Sequence, residues 1–171
     1  MAFYDEEMPT THARTLIAVL FALVSVLWAG RLVADIGGRE EVAADLILMQ
    51  GKWKLVDFVY YRNGVAERPP RQQVHGTRTV TGNRYWLQLR ILQQHVDAEY
   101  KFKLFPDQQP KAFDVTLPDD RVIKGIYEIK GDTLRRCYTQ PHDPRPQKFQ
   151  SGNQTYQEWR RVVEVPKQAE S

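Results

Sequence analysis

From Trp53 onward, apolar and polar residues alternate with period two in short runs, and turn residues bound each run. That is the pattern of half-buried antiparallel strands. Trp53 to Tyr61 makes a long first run, ended by the turn signal Arg62-Asn63-Gly64. Glu67 to Gln73 contains Pro69 and Pro70, cannot donate a regular ladder and is predicted to be a loop. Thr77 to Thr81 and Arg84 to Leu92 form a predicted hairpin across Gly82-Asn83, with Tyr85, Leu87, Leu89 and Ile91 on one face. Gln93 to Asp97 reads as the next turn. Tyr100, Phe102 and Leu104 then alternate with Lys101 and Lys103, which places apolar side chains inward and lysines outward. Ala112 to Leu117 is a short strand. Arg121 to Lys130 and Thr133 to Thr139 are joined by Gly131-Asp132, and a proline-rich loop from Pro141 to Pro146 precedes a last strand from Thr155 to Val165. About eight short strands with local connections, and no crossover helix, point to a mainly β domain over residues 51–165. A small antiparallel barrel is expected, because closure removes exposed edges; a two-sheet sandwich is the alternative.

The N-terminal third follows another rule. Thr15 to Gly30 is sixteen residues without a charge, and Leu32-Val33-Ala34 extends the run beyond Arg31. This approaches the ~20 residues that cross a bilayer core, with Arg31 able to snorkel. Residues 15–36 therefore read as a transmembrane anchor behind an acidic tail at 1–14. Trp28 stands where an interfacial aromatic would anchor the end, and Ala22, Ser25, Ala29 and Gly30 would seat the span against lipid or neighbouring helices. A cleaved signal peptide is the rival reading. It wants a basic start and a small-x-small cleavage site, whereas this chain offers Asp5-Glu6-Glu7 against Arg14 and puts Leu32 where a small residue is needed. Residues 37–50 form a linker and one short amphipathic helix, with Val42, Leu46 and Met49 at i, i+4 and i+7. That helix is expected to plug one end of the domain, or else to lie on the membrane. Residues 166–171 are a tail.

Charge changes this picture modestly. The 171-residue chain carries a net +3, yet residues 1–49 hold three basic and seven acidic side chains, so the remainder is +7. A basic domain beside a membrane feels anionic headgroups or an acidic partner. Cys137 is the one cysteine, which excludes an intrachain disulfide and a thiolate metal cluster and leaves core packing as its expected role. His12, His75, His95 and His142 fall in separate loops or flanks, and no phosphate loop or nucleophile elbow is present. No catalytic, cofactor-binding or metal-ligating residues are therefore expected. Arg84 and Arg90 around Tyr85-Trp86 interleave bases and aromatics as a nucleic-acid platform does, but a membrane tether argues against a nucleic-acid partner.

Gly51-x-Trp53 at the start of the first strand resembles the lipocalin signature, in which a Trp closes one barrel end and a late-strand Arg packs across it. Arg160 or Arg161 would be that cation here. The ordered series Leu48-Met49-Gln50-Gly51-Lys52-Trp53, Val80-Thr81-Gly82-Asn83-Arg84, Lys101-Phe102-Lys103-Leu104, Pro110-Lys111-Ala112-Phe113-Asp114-Val115-Thr116, Gly125-Ile126-Tyr127-Glu128, Gly131-Asp132-Thr133-Leu134 with Cys137, and Arg145-Pro146 with Phe149 resembles a small lipocalin-like domain of planctomycetes and related bacteria, whose function is unassigned. The resemblance covers roughly residues 48–164 and implies a barrel in an envelope setting, without catalytic residues. The inner aromatics Phe58, Tyr60, Tyr85, Tyr100, Phe102 and Tyr127 would fill the core, or line a ligand cavity as in transport lipocalins. The functional expectation is a non-catalytic accessory or scaffolding subunit of a larger membrane complex, photosynthetic and respiratory assemblies being candidates. It would sit in the cytoplasmic membrane by one span, touching lipids and other subunits, with the barrel on the periplasmic side or alternatively the cytoplasmic side. A membrane-tethered carrier of an apolar small molecule is the other candidate.

Overall fold

The computed structural model describes Glu40 and residues 42–150 and 152–163. The expected anchor at 15–36, with Ala22, Ser25, Trp28, Ala29, Gly30 and Arg31, lies outside the described residues, as do the tails at 1–14 and 166–171. Among the described residues, no helix is long and apolar enough to cross a membrane.

A short helix, α1 (residues 42–49), leads into nine strands. They are β1 (Gly51–Arg62), β2 (Val65–Glu67), β3 (Val74–Thr81), β4 (Arg84–Ile91), β5 (Gln94–Phe105), β6 (Ala112–Thr116), β7 (Val122–Lys130), β8 (Thr133–Tyr138) and β9 (Gln154–Arg161). Strands β3 to β9 pair antiparallel in sequence order, and β1 pairs with both β3 and β9. The eight strands β1 and β3 to β9 thus form a closed antiparallel barrel, and β2 is an extra strand hairpinned onto the far half of β1. The sandwich alternative falls away because the β1–β9 pairing leaves a single closed sheet.

Asn63 (φ 51°) and Gly64 (φ 79°) make the two-residue turn that Asn-Gly favours. Three expectations need correction. Gln93 to Asp97 is not a turn: Leu92 and Gln93 turn the chain, and β5 starts at Gln94 with His95 opposite Arg90. Leu92 takes φ 55° there, a conformation that leucine rarely adopts and that no turn signal announces. The loop expected from Glu67 is entered one residue late, since Glu67 pairs with Tyr60. The last strand ends at Arg161 rather than Val165, with residues 164 and 165 outside the described residues.

A register shift between Leu55 and Asp57 decides which side chains of β1 enter the barrel. Trp53 and Leu55 point inward before it, and Phe58 and Tyr60 join the same core after it. An inserted residue flips the alternation, so Val59 and Tyr61 face out. Phe149 and Tyr156 cover them there. The connection between β8 and β9, which carries Phe149, is fastened by Arg145, which donates to the carbonyls of Phe113 (2.7 Å) and Gly125 (2.8 Å) and to Asp114 Oδ1 (2.7 Å).

Helix α1 plugs one end of the barrel. Met49 and Asp45 are buried. The Tyr127 hydroxyl donates to Asp45 Oδ2 at 2.6 Å, and Lys111 Nζ reaches the same oxygen at 2.8 Å. Gln50, just past the helix, bonds both the N–H and the carbonyl of Gly82 in the β3–β4 turn.

Candidate functional site

Closure at the helix end is built on Trp53. Its indole is fully buried and donates to the Met49 carbonyl at 2.8 Å. Arg161 lies 4.3 Å above the ring centroid and donates to the carbonyls of Gln50 and Leu48, both at 2.6 Å. The covering cation is therefore Arg161. Arg160 points away, exposed, 3.9 Å from Glu158. Gly51 sits beneath Arg161 at φ 97°, where any side chain would be strained.

The six inner aromatics expected from the alternation all belong to the barrel core, with Phe58, Tyr85, Phe102 and Tyr127 buried and Tyr60 and Tyr100 packed against them. They fill it. The room left inside is about 20 Å³, bounded among others by Met49, Arg78, Tyr85, Phe102, Phe113, Tyr127 and Arg136. Pockets that take drug-sized ligands measure about 300–1,000 Å³, far more than this room.

Two of those wall residues are charged. Arg78 on β3 and Arg136 on β8 are buried. Each stands at an inward position: Arg78 in register with Gly76 and Val80, Arg136 with Leu134 and Tyr138. Arg78 lies 4.2 Å from the Tyr85 ring centroid and 4.8 Å from that of Trp159. Arg136 lies 4.5 Å from Phe113, 5.0 Å from Tyr138 and 5.9 Å from Tyr85. Tyr85 is thus shared by both guanidiniums. The Nε of each is buried without a hydrogen-bond partner. Asp45 is the one buried carboxylate among the described residues, and it is engaged by Lys111 and Tyr127.

Desolvation costs several kcal/mol per buried ion, and a desolvated cation–π contact returns roughly 2 kcal/mol. Stacking therefore offsets much of the cost of burying each arginine but neutralises neither charge. Burial lowers the pKa of Arg78, and the nearby phenols Tyr85 and Tyr138 oppose that shift. The same burial pushes the Tyr85 and Tyr138 phenols well above the ordinary range, so both stay neutral at physiological pH. The barrel interior thus carries two positive charges in an apolar setting.

A larger opening lies beside the β1 irregularity. It is an open groove of about 630 Å³ lined by Val56, Asp57, Arg68, Pro69, Arg71, Glu158 and Arg160, and bordered by Leu55 and Phe58. The basic, proline-rich insert that follows β2 supplies Arg68 and Arg71, and Arg68 approaches Asp57 at 3.8 Å.

Cys137 packs as expected. It alternates with Arg136, faces away from the interior and is fully buried. Burial pushes its thiol up to about 12. The thiol should resist a disulfide reagent at neutral pH in the folded protein and react at once after unfolding; rapid labelling of the native chain would show it accessible. Because its folded pKa is raised, the folded state holds the proton where the unfolded chain releases it. This contribution to stability is intact below the ordinary thiol value of 9.0 and is lost as pH rises toward 12. Among the described residues no cluster of three or more His, Cys, Asp or Glu side chains could hold a metal ion.

No family model and no curated protein matches the chain. Among solved structures it is similar to a secretary abundant heat soluble protein from Ramazzottius varieornatus, at 16% identity and a TM-score of 0.36, over 67% of this chain and 96% of that one. The barrel described above rests on its own strand pairing.

Sequence reasoning did not single out Arg78 and Arg136. The signal was present in the alternation: Val80 and Tyr85 mark the inward face, and counting back two from Val80 reaches Arg78. Hydropathy alone steers an arginine outward, which hid both.

Proposed function

We propose that this chain is a non-catalytic accessory subunit, tethered to the cytoplasmic membrane through residues 15–36, whose barrel docks on an acidic surface of a partner in a membrane complex. The observation that carries this reading is the contrast in space: about 20 Å³ inside the barrel against about 630 Å³ in the groove. A filled interior gives the barrel no cargo to carry, and the groove presents Arg68, Arg71 and Arg160 against Asp57 and Glu158. A net positive, partly apolar cleft suits an acidic segment or loop of another subunit. Trp86, 48% exposed on the outer face, adds an amphipathic contact of the kind enriched at interfaces.

The test is purification of the full chain from native membranes in mild detergent. It should elute with a stoichiometric partner, and the charge reversals Arg68→Glu and Arg71→Glu together should release that partner while leaving the melting temperature within a few degrees. Elution of the wild-type chain alone as a monomer would overturn the reading. Protease accessibility in intact cells and in spheroplasts decides the side: the periplasmic placement expects cleavage of the barrel region in spheroplasts.

A further inference from the structure

We propose that the interior cavity shared by Arg78 and Arg136 is a binding site for one monovalent inorganic anion of halide size. Buried polar groups nearly always find a partner. Here the Nε atoms of two buried arginines, on strands β3 and β8, have none among the described residues. The aromatic rings of Tyr85, Trp159, Phe113 and Tyr138 cover the guanidinium faces. The two Nε–H groups are what remain to be satisfied, and both side chains border the same small void.

A bound water would accept from one of these donors but would leave two like charges unbalanced in an apolar interior. One monovalent anion accepts from both donors and reduces the interior charge from +2 to +1, with the rings of Tyr85, Trp159, Phe113 and Tyr138 facing what remains. Size selects the class. A void of about 20 Å³ holds roughly one water-sized body, which a halide fits with slight movement of the surrounding side chains. Tetrahedral oxyanions and carboxylates bearing a chain are too large. No competing carboxylate is at hand, since Asp45 is held by Lys111 and Tyr127 at the plug.

The probe is sodium chloride or sodium bromide added to the full chain in detergent, at constant ionic strength made up with sodium gluconate, so that general screening is held fixed. The melting temperature should rise with halide and saturate, by roughly 5 °C. Acetate and sulfate should not reproduce the rise. Arg136→Met and Arg78→Met, each nearly isosteric and apolar, should abolish the halide response whatever they do to the starting stability. In crystals grown with bromide, anomalous scattering should place one ion against Arg78 and Arg136; this readout decides the matter if the variants do not fold. Equal melting in halide and gluconate, an undiminished response in a folded Met variant, a cavity without bromide, or stabilisation by acetate in place of halide would each overturn the proposal.

Discussion

Trp53→Ala is expected to lower the stability of the barrel by about 3–5 kcal/mol, the range for truncating a buried large aromatic. The indole is fully buried, and three groups depend on it. The Met49 carbonyl at the end of α1 loses its donor at 2.8 Å. Arg161 loses the ring beneath its guanidinium at 4.3 Å. The helix plug loses the surface against which Met49 packs. Urea denaturation of the wild type and variant in the same detergent measures the difference. Trp53→Phe should lie between them, since it keeps most of the ring and loses the hydrogen bond, whose net worth is about 1 kcal/mol. A cost below about 1 kcal/mol for the alanine would mean that this indole does not close the barrel.

Gly125→Ala is expected to cost about 3 kcal/mol, at the upper end for overpacking a core. A Cβ built at Gly125 stands 2.3 Å from Phe113 Cζ and 2.6 Å from the backbone oxygen of Cys137. The ring cannot simply swing away, because Phe113 stacks beneath Arg136. The carbonyl cannot retreat, because Ile126 pairs with Cys137 across the β7–β8 ladder. Gly76 makes the useful contrast: its nearest obstacle is the tip of Leu89 at 2.9 Å, a flexible group that can move, so Gly76→Ala should cost less. Gly82 and Gly131 meet nothing within 4 Å and are needed instead for their positive φ. Thermal denaturation of the two alanine variants should rank Gly125→Ala as the more damaging, and an unperturbed Gly125→Ala would show that β6 and β7 leave room for a Cβ there.

Legibility followed from where the determining interaction lies along the chain. Strands and turns were readable where alternation and turn chemistry are local: Tyr85 to Ile91 alternates cleanly, and Asn63-Gly64 and Gly131-Asp132 turn as their residue types require. The β4–β5 turn was missed because Leu92 adopts a left-handed conformation without being a turn former, and the flanking strand pairing holds it there. The extra strand β2 was missed because three exposed residues carry no burial pattern; their pairing with Tyr60, Tyr61 and Arg62 alone makes them a strand. Of the candidate site, the aromatic lining was readable from parity, whereas the arginines among it were not.

By itself, then, the sequence determined a run of neighbouring antiparallel strands, because period-two burial and local turns suffice to specify them; that the sheet closes into a barrel was decided by the pairing of β1 with β9. Tertiary structure alone decided that Arg161 and not Arg160 covers Trp53, that the β1 irregularity turns Val59 and Tyr61 outward, and that Arg78 and Arg136 share a void around Tyr85. The physical reason is common to all three. Which face a strand residue presents depends on the register of both neighbours around a closed sheet, and the environment of a buried charge is made by rings far away in the chain, such as Trp159 over Arg78.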